Sequence, residues 1–215
     1  MRDRIWTTCA YACALGALAF ALLGGCTQLP YTGGARPVAP EQMQLDAHWL
    51  RAARTPVVTQ RAETDCGLAA LAMVAGAWGR DWSVDALTRA LPPGKDGVTL
   101  GGLRDYARAH ALDAYAIAAT PRDLARELGA GRPVLLGLML PFDRGHNRSH
   151  YEVAIAMEPA TGTVITIDPA SGRWMKRAAK ILDVEWGAAG HAALVVVGDR
   201  RASPVAEESH HDAAQ

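Results

Sequence analysis

Cys66 is the residue around which chemistry could be built. A thiol is a nucleophile only as thiolate, so it needs a lowered pKa and a base to take its proton. It also needs a group that orients that base, and donors for the oxyanion that attack on a carbonyl creates. The sequence has a candidate for each need. Cys66 stands at the expected start of a helix, where unpaired N–H groups and the positive end of the helix dipole favour thiolate. Gly67, Ala69 and Ala70 keep that end slim enough for a substrate backbone to approach. His150 begins a strand that runs into a hairpin, and Asp168 ends the strand that leaves it. Counting outward from a loop centred near residues 160 to 161 brings the two to within about two positions of being cross-strand neighbours. The register decides whether they share a face. Gln60, six residues before the cysteine, can aim its side-chain amide at a carbonyl oxygen beside the thiol.

Blander readings stand beside these. A lone Cys66 can be a buried, inert thiol. His146 and His150 are four apart, which on a helix would suit a metal, but Pro141, Asp143 and Gly145 mark a loop, so neither a metal nor a cofactor is expected. His191, just before the last strand, is a second candidate for the base. His210 and His211 fall in a polar stretch and read as solvated. Trp78, Trp82, Trp174 and Trp186 read as core or cleft-wall residues.

These residues must be held by a domain of about 145 residues, one domain by length. Leu68, Leu71, Ala72, Ala75 and Trp78 recur at helical spacing, with Asp65 as N-cap and Gly79 as stop. Ser83 caps a short helix ending at Pro92-Pro93, and Thr99 caps Leu100 to His110 with Leu103 and Ala107 inward. Thr120-Pro121 opens another, closed near Gly129 to Gly131. Val134 to Leu140 is a continuous apolar run and reads as a buried strand. Tyr151 to Met157 and Thr163 to Ile167 flank a hairpin loop, and Ala192 to Val197 is a last strand. A helical N-terminal half packed on an antiparallel β-sheet is an α+β fold.

At the ends the composition changes. Arg2 and Arg4 precede an uncharged stretch whose most apolar part, Ala10 to Leu23, is too short for a membrane span of about 20 residues and suits a signal peptide. It ends in Leu23-Gly24-Gly25-Cys26, which resembles the lipobox of bacterial lipoproteins. That resemblance implies cleavage after residue 25, lipidation of Cys26 and a place in the bacterial cell envelope. Thr27 is not the aspartate associated with inner-membrane retention, so the outer membrane, facing the periplasm, is expected. Of the four cysteines, Cys9 and Cys13 then leave, Cys26 becomes a thioether, and Cys66 keeps the one thiol. Residues 26–54 read as a tether, with Gly33-Gly34 either a flexible link or a place where the chain could be cut. Residues 55–198 read as the domain and 199–215 as a disordered tail. With 22 basic against 22 acidic residues, and −1 once Arg2, Asp3 and Arg4 are gone, no field exists to hold a nucleic acid.

The run Gln60-Arg-Ala-Glu-Thr-Asp65-Cys66-Gly67, then His150-Tyr151-Glu-Val, then Ile167-Asp168-Pro169, resembles the bacteriocin-processing, double-glycine cysteine peptidases, a branch of the papain-like fold. The resemblance covers roughly residues 55 to 198. It implies a papain-like fold, Cys66 as nucleophile, His150 as general base and acid, Asp168 as the residue orienting it, and Gln60 with the Cys66 N–H as the oxyanion hole. It also implies an exported peptide or protein as substrate, cleaved after a Gly-Gly pair, and export machinery as a partner. The sequence carries no Walker-type phosphate loop, so no ATP-binding motif, and a free-standing, lipid-anchored relative is expected. The contrasting reading is a non-catalytic lipoprotein that holds a peptide in the same cleft during export or assembly.

Overall fold

The computed structural model describes residues 34–43, 45–142 and 146–199, with side chains left aside at 141, 142, 146 and 147. The expected signal peptide, Cys26 and the tail from residue 200 lie outside the described residues. Among the described residues, no helix is long and apolar enough to cross a membrane.

The helices form where the sequence caps them. Helix α1 is Cys66–Gly76, α2 is Val84–Ala90, α3 is Leu100–Ala109, α4 is Pro121–Gly129 and α5 is Ala179–Gly187. The Ser83 and Thr99 hydroxyls accept from the Ala86 and Gly102 N–H groups at 3.2 and 3.1 Å, satisfying donors that a helix start leaves open. Thr120 and Asp123 form a reciprocal capping box ahead of Pro121. Asp65 departs from the expectation. A 3₁₀ turn, Glu63–Asp65, runs straight into α1, so the Asp65 carboxylate reaches back to the Ala62 N–H at 3.0 Å and makes no bond to α1. The first N–H groups of α1 stay open to other partners.

The strands are β1 (Arg36–Val38), β2 (Leu50–Arg51), β3 (Asp113–Ala118), β4 (Val134–Phe142), β5 (His146–Glu158), β6 (Thr163–Asp168), β7 (Arg173–Arg177) and β8 (Ala192–Val197). They form one antiparallel sheet in the order β1-β7-β6-β5-β4-β8-β3, with β2 also on β5. Leu135, Val153, Ile165, Ile167, Leu194 and Val196 face α1 and α3 on one side. On the other, Leu136, Leu138, Ala154 and Val164 meet Leu124 and Leu128 of α4 and Leu182 and Trp186 of α5. Helix α1 is covered all round, which is why it is apolar all round from Cys66 to Ala75. The α+β class holds, and the structure adds to the expected layout: β3 crosses from the helical half to the far edge, β7 extends the sheet beyond β6, α5 interrupts the strands, and β1 and β2 join from the N-terminal side.

The expected tether is in part built into the sheet. Arg36–Val38 pairs with Lys176–Trp174 of β7, Pro40–Gln42 makes one 3₁₀ turn, and Leu50–Arg51 pairs with Met157–Ala156 of β5. Between these pieces the described chain turns at residues 47–48, and the strands form because backbone groups on β5 and β7 were available to pair with them. Gly34 is packed: its N–H donates to Glu185 Oε1 at 2.8 Å, and a Cβ there would meet Ile181 within 2.2 Å. The register puts Gly34 beyond the Lys176 end of β7, whereas Asp168 pairs at the Arg173 end.

Candidate active site

Asp168 ends β6 and enters the turn to β7, where its carboxylate is held on both oxygens. Oδ1 accepts from the Ala170 N–H at 2.9 Å, and Oδ2 from the Ser171 N–H and hydroxyl at 3.2 and 2.6 Å. The same turn is tied to the segment before α1, because the Gln60 N–H donates to Pro169 O at 2.9 Å. His150, 6% exposed, places Nε2 at 2.8 Å from Asp168 Oδ1. Register and twist thus bring together two residues that sequence counting left two positions apart.

With Nε2 taken by Asp168, the other ring nitrogen is the one left for the thiol, and His150 stands near enough to Cys66 to act on its ionisation. Cys66 is the first residue of α1 and is 8% exposed. Burial pushes its thiol up; the His150 imidazole and the backbone N–H groups of Tyr151 and Gly67 outweigh that and leave it below its ordinary value. Burial pulls His150 down, but the Asp168 hydrogen bond, then Cys66 and the charge of Glu152, lift it to about 9. Burial raises Asp168, while His150, Ser171 and the Ala170 N–H bring it to about 2. The arrangement stabilises a thiolate beside an imidazolium.

A pH dependence follows. His150 sits above its ordinary 6.5, so its contribution to stability is full below pH 6.5 and is lost as pH rises through about 9. Asp168 sits below its ordinary 3.8, so its contribution is present above that value and is lost as pH falls through about 2. Alkylation of Cys66 by iodoacetate, an anion drawn to the imidazolium, is expected to fall as pH passes about 9, and thermal melting to be highest between about pH 4 and 6.5. Alkylation that instead rises as for a free thiol would contradict this.

Tyr151, which sequence reasoning passed over, fixes the distance between α1 and β5. A Cβ on Gly67 would lie 3.0 Å from its ring, and one on Gly137 of β4 would lie 3.4 Å from it. The glycine next to the cysteine is therefore a packing requirement between helix and sheet. Gly67→Ala is expected to displace the ring, cost about 1–3 kcal/mol in stability and lower activity at least tenfold. Unchanged kcat/KM in a purified variant would show that the spacing tolerates slack.

The Gln60 amide is engaged locally: Nε2 donates to Ala62 O at 3.0 Å, and Oε1 is buried without a partner among the described residues. A primary amide has a second N–H, so Nε2 can serve Ala62 and a substrate oxygen together. His146 lies on β5 and not on a helix, so its backbone is about 13 Å from that of His150, too far for the pair to share a metal. His150, Glu152 and Asp168 present ligand atoms within 4.8 Å of one another. Their carboxylates are already committed, Asp168 to its turn and Glu152 to Arg177 and Thr166. His191 packs edge-on to Trp186 at 5.1 Å, 4.0 Å from Asp183. Trp78 and Trp186 are core, donating to Val196 O and Ala192 O, whereas Trp174 lines a shallow cavity of about 350 Å³ with Pro37, Val57 and Gly172.

Known proteins resemble this chain in sequence and fold. The chain is 30% identical over 130 residues to the microcin-H47 secretion/processing ATP-binding protein MchF of Escherichia coli, a match covering 60% of this chain and 16% of that protein. The chain thus spans less than a fifth of that relative. Among solved structures, a double-glycine motif protease from an AMS/PCAT transporter, bound to leader peptide, superposes with a TM-score of 0.55 at 19% identity, over 69% of this chain and 95% of that one. The peptidase domain of Streptococcus ComA gives 0.56 at 22%, over 68% and 100%. At those identities the superpositions speak for the fold. The family model described as the Peptidase C39 family matches residues 54–189, more than half of the chain and all of the Cys66–His150–Asp168 framework, so the protein belongs to that family of cysteine peptidases.

Proposed function

We propose that this cysteine peptidase is lipid-anchored at Cys26 and cleaves an exported peptide or protein after a Gly-Gly pair. The observation that carries the reading is His150 set beside Cys66 and held by a 2.8 Å bond to the Asp168 carboxylate. The Cys66 thiolate attacks the scissile carbonyl carbon. The oxyanion is met by the Cys66 N–H and, from Gln60, the free N–H of the amide. His150 then gives its proton to the departing amine, and the C–N bond breaks to leave a thioester. His150 takes a proton from water, whose oxygen displaces the thiolate and releases the acid.

The enclosure of Cys66 supports the glycine preference: a nucleophile only 8% exposed, next to Gly67 and the Tyr151 ring packed on it, is reached most easily by a backbone without side chains at the bond to be cut. The name of the microcin-processing relative, and a neighbour solved with a leader peptide, support an exported peptide as substrate and export machinery as partner. The anchor at Cys26 and an outer-membrane, periplasm-facing location rest on the Leu23-Gly24-Gly25-Cys26 resemblance.

Leader peptides ending in Gly-Gly and the same peptides ending in Ala-Ala, incubated with the purified chain, test the substrate reading. Mass spectrometry is expected to show a single cut after the second glycine, and at least tenfold slower turnover of the Ala-Ala peptide. Equal rates on both would remove the Gly-Gly preference. Cys26→Ser is expected to move the protein from the membrane fraction to the soluble one; a variant that stays with the membrane would refute lipid anchoring there.

A further inference from the structure

Below His150 lies a cluster of charge that the reaction as written does not use. Glu152 is two residues along β5, on the same side of the strand as His150, and one register step beyond the Val153–Ile167 pair puts it opposite Asp168. Its two oxygens accept from Arg177 of β7 in a fork, Oε1 from Nη2 at 2.7 Å and Oε2 from Nη1 at 2.6 Å. Thr166 of β6 donates its hydroxyl to Glu152 Oε2 and accepts from Arg177 Nη1. Arg177 Nε donates to Glu185 of α5 at 2.7 Å, and the other Glu185 oxygen takes the Gly34 N–H. Arg177, Glu152, Glu185 and Thr166 are each no more than 2% exposed.

Two carboxylates against one guanidinium leave this network with a formal charge of −1, sealed from water and beside the imidazole. A buried network needed only to join strands would do so more cheaply if neutral, because an uncompensated buried charge is costly. The imidazolium is the cation that can meet it. We propose that Glu152, held by Arg177 and Glu185, is a positioning residue for His150: a second carboxylate beside Asp168 that keeps the resting site as thiolate and imidazolium. This rests on the reading of Cys66 and His150 as the reacting pair.

The other groups facing His150 leave that role to the cluster. Cys66 comes from α1 and Asp168 from β6, and the β4 partner across from it is Leu138, which is apolar. Arg148, two residues back, pairs with Glu63, and Arg173, opposite Asp168, is exposed to solvent. The raised value of His150, to which Glu152 contributes, agrees with the geometry.

The test is the pH profile of Cys66 alkylation by iodoacetate in the full chain, compared between wild type and Glu152→Gln. The alkaline limb, which reports loss of the imidazolium proton, is expected to move down by about one pH unit in the variant. Should Glu152→Gln fail to fold, the triple variant Glu152→Gln, Arg177→Met, Glu185→Gln removes the whole network, and with it the net charge, without stranding a partner. The same downward shift is expected there. A limb at the wild-type pH in a folded variant, with reactivity scaled equally at all pH values, would make the cluster purely structural and overturn the proposal. A wild type with no alkaline limb at all would overturn both this proposal and the reacting pair beneath it.

Discussion

Alanine at Cys66 is expected to abolish peptide cleavage, by about 10⁴-fold or more, while the melting temperature stays within a few degrees of wild type. The substitution removes a single sulphur atom at the start of α1 and leaves the first-turn N–H groups, the Tyr151 wedge and the His150–Asp168 bond in place. His150→Ala is expected to fall to a similar floor, since a thiol without its imidazole is neither ionised nor able to protonate the leaving amine. The two changes together are expected to lose little more than either alone, because residues that act as a unit are not additive. Cleavage of a leader peptide followed by chromatography reads all three variants, and residual turnover within tenfold of wild type in any single variant would remove that residue from the mechanism. A peptide held without turnover by Cys66→Ala would also identify the substrate.

The largest loss of stability is expected at Arg177, far from where sequence reasoning would look. Arg177→Met leaves Glu152 and Glu185 buried and charged with no cation between them, a defect of about 3–5 kcal/mol. For a domain of this size that lowers the melting temperature by roughly ten degrees or more. Adding Glu152→Gln and Glu185→Gln to Arg177→Met is expected to recover most of it. Thermal melts of the single and triple variants measure the difference; a single variant as stable as wild type would mean that water reaches the cluster.

The contrast between these two sites explains what the sequence made legible. Cys66, His150 and Asp168 could be singled out as candidates because a cysteine at a helix start and a pair flanking a hairpin are local patterns, and the hairpin converts sequence distance into spatial distance. Capped helices were readable for the same reason: Ser83, Thr99 and Thr120 bond within three residues. Strand β7, Arg-Trp-Met-Lys-Arg, was not, because its last arginine is buried by a partner on another strand, and a basic residue at a segment end reads as surface. Helix α5 has Ala178 as its N-cap, which offers no side-chain bond and so gives no start signal. Strands β1 and β2, three and two residues long, are below the length at which alternation can be seen; they exist because β7 and β5 offer them backbone partners. One signal was present and unused. Glu152 stands among apolar residues in the middle of a strand, and a lone carboxylate there demands a buried cation somewhere in the chain.

The docking of residues 34–51 against the sheet also sets a length. With lipid on Cys26 as proposed, only eight residues separate the bilayer surface from the point where Gly34 is fixed to Glu185. Even fully extended they reach about 27 Å. The peptidase would then work as a short-leashed enzyme, sampling a layer next to the membrane little deeper than its own diameter. On the periplasmic face of the outer membrane it would act within that layer, on chains approaching an export channel there and on free peptides only once they diffuse into it.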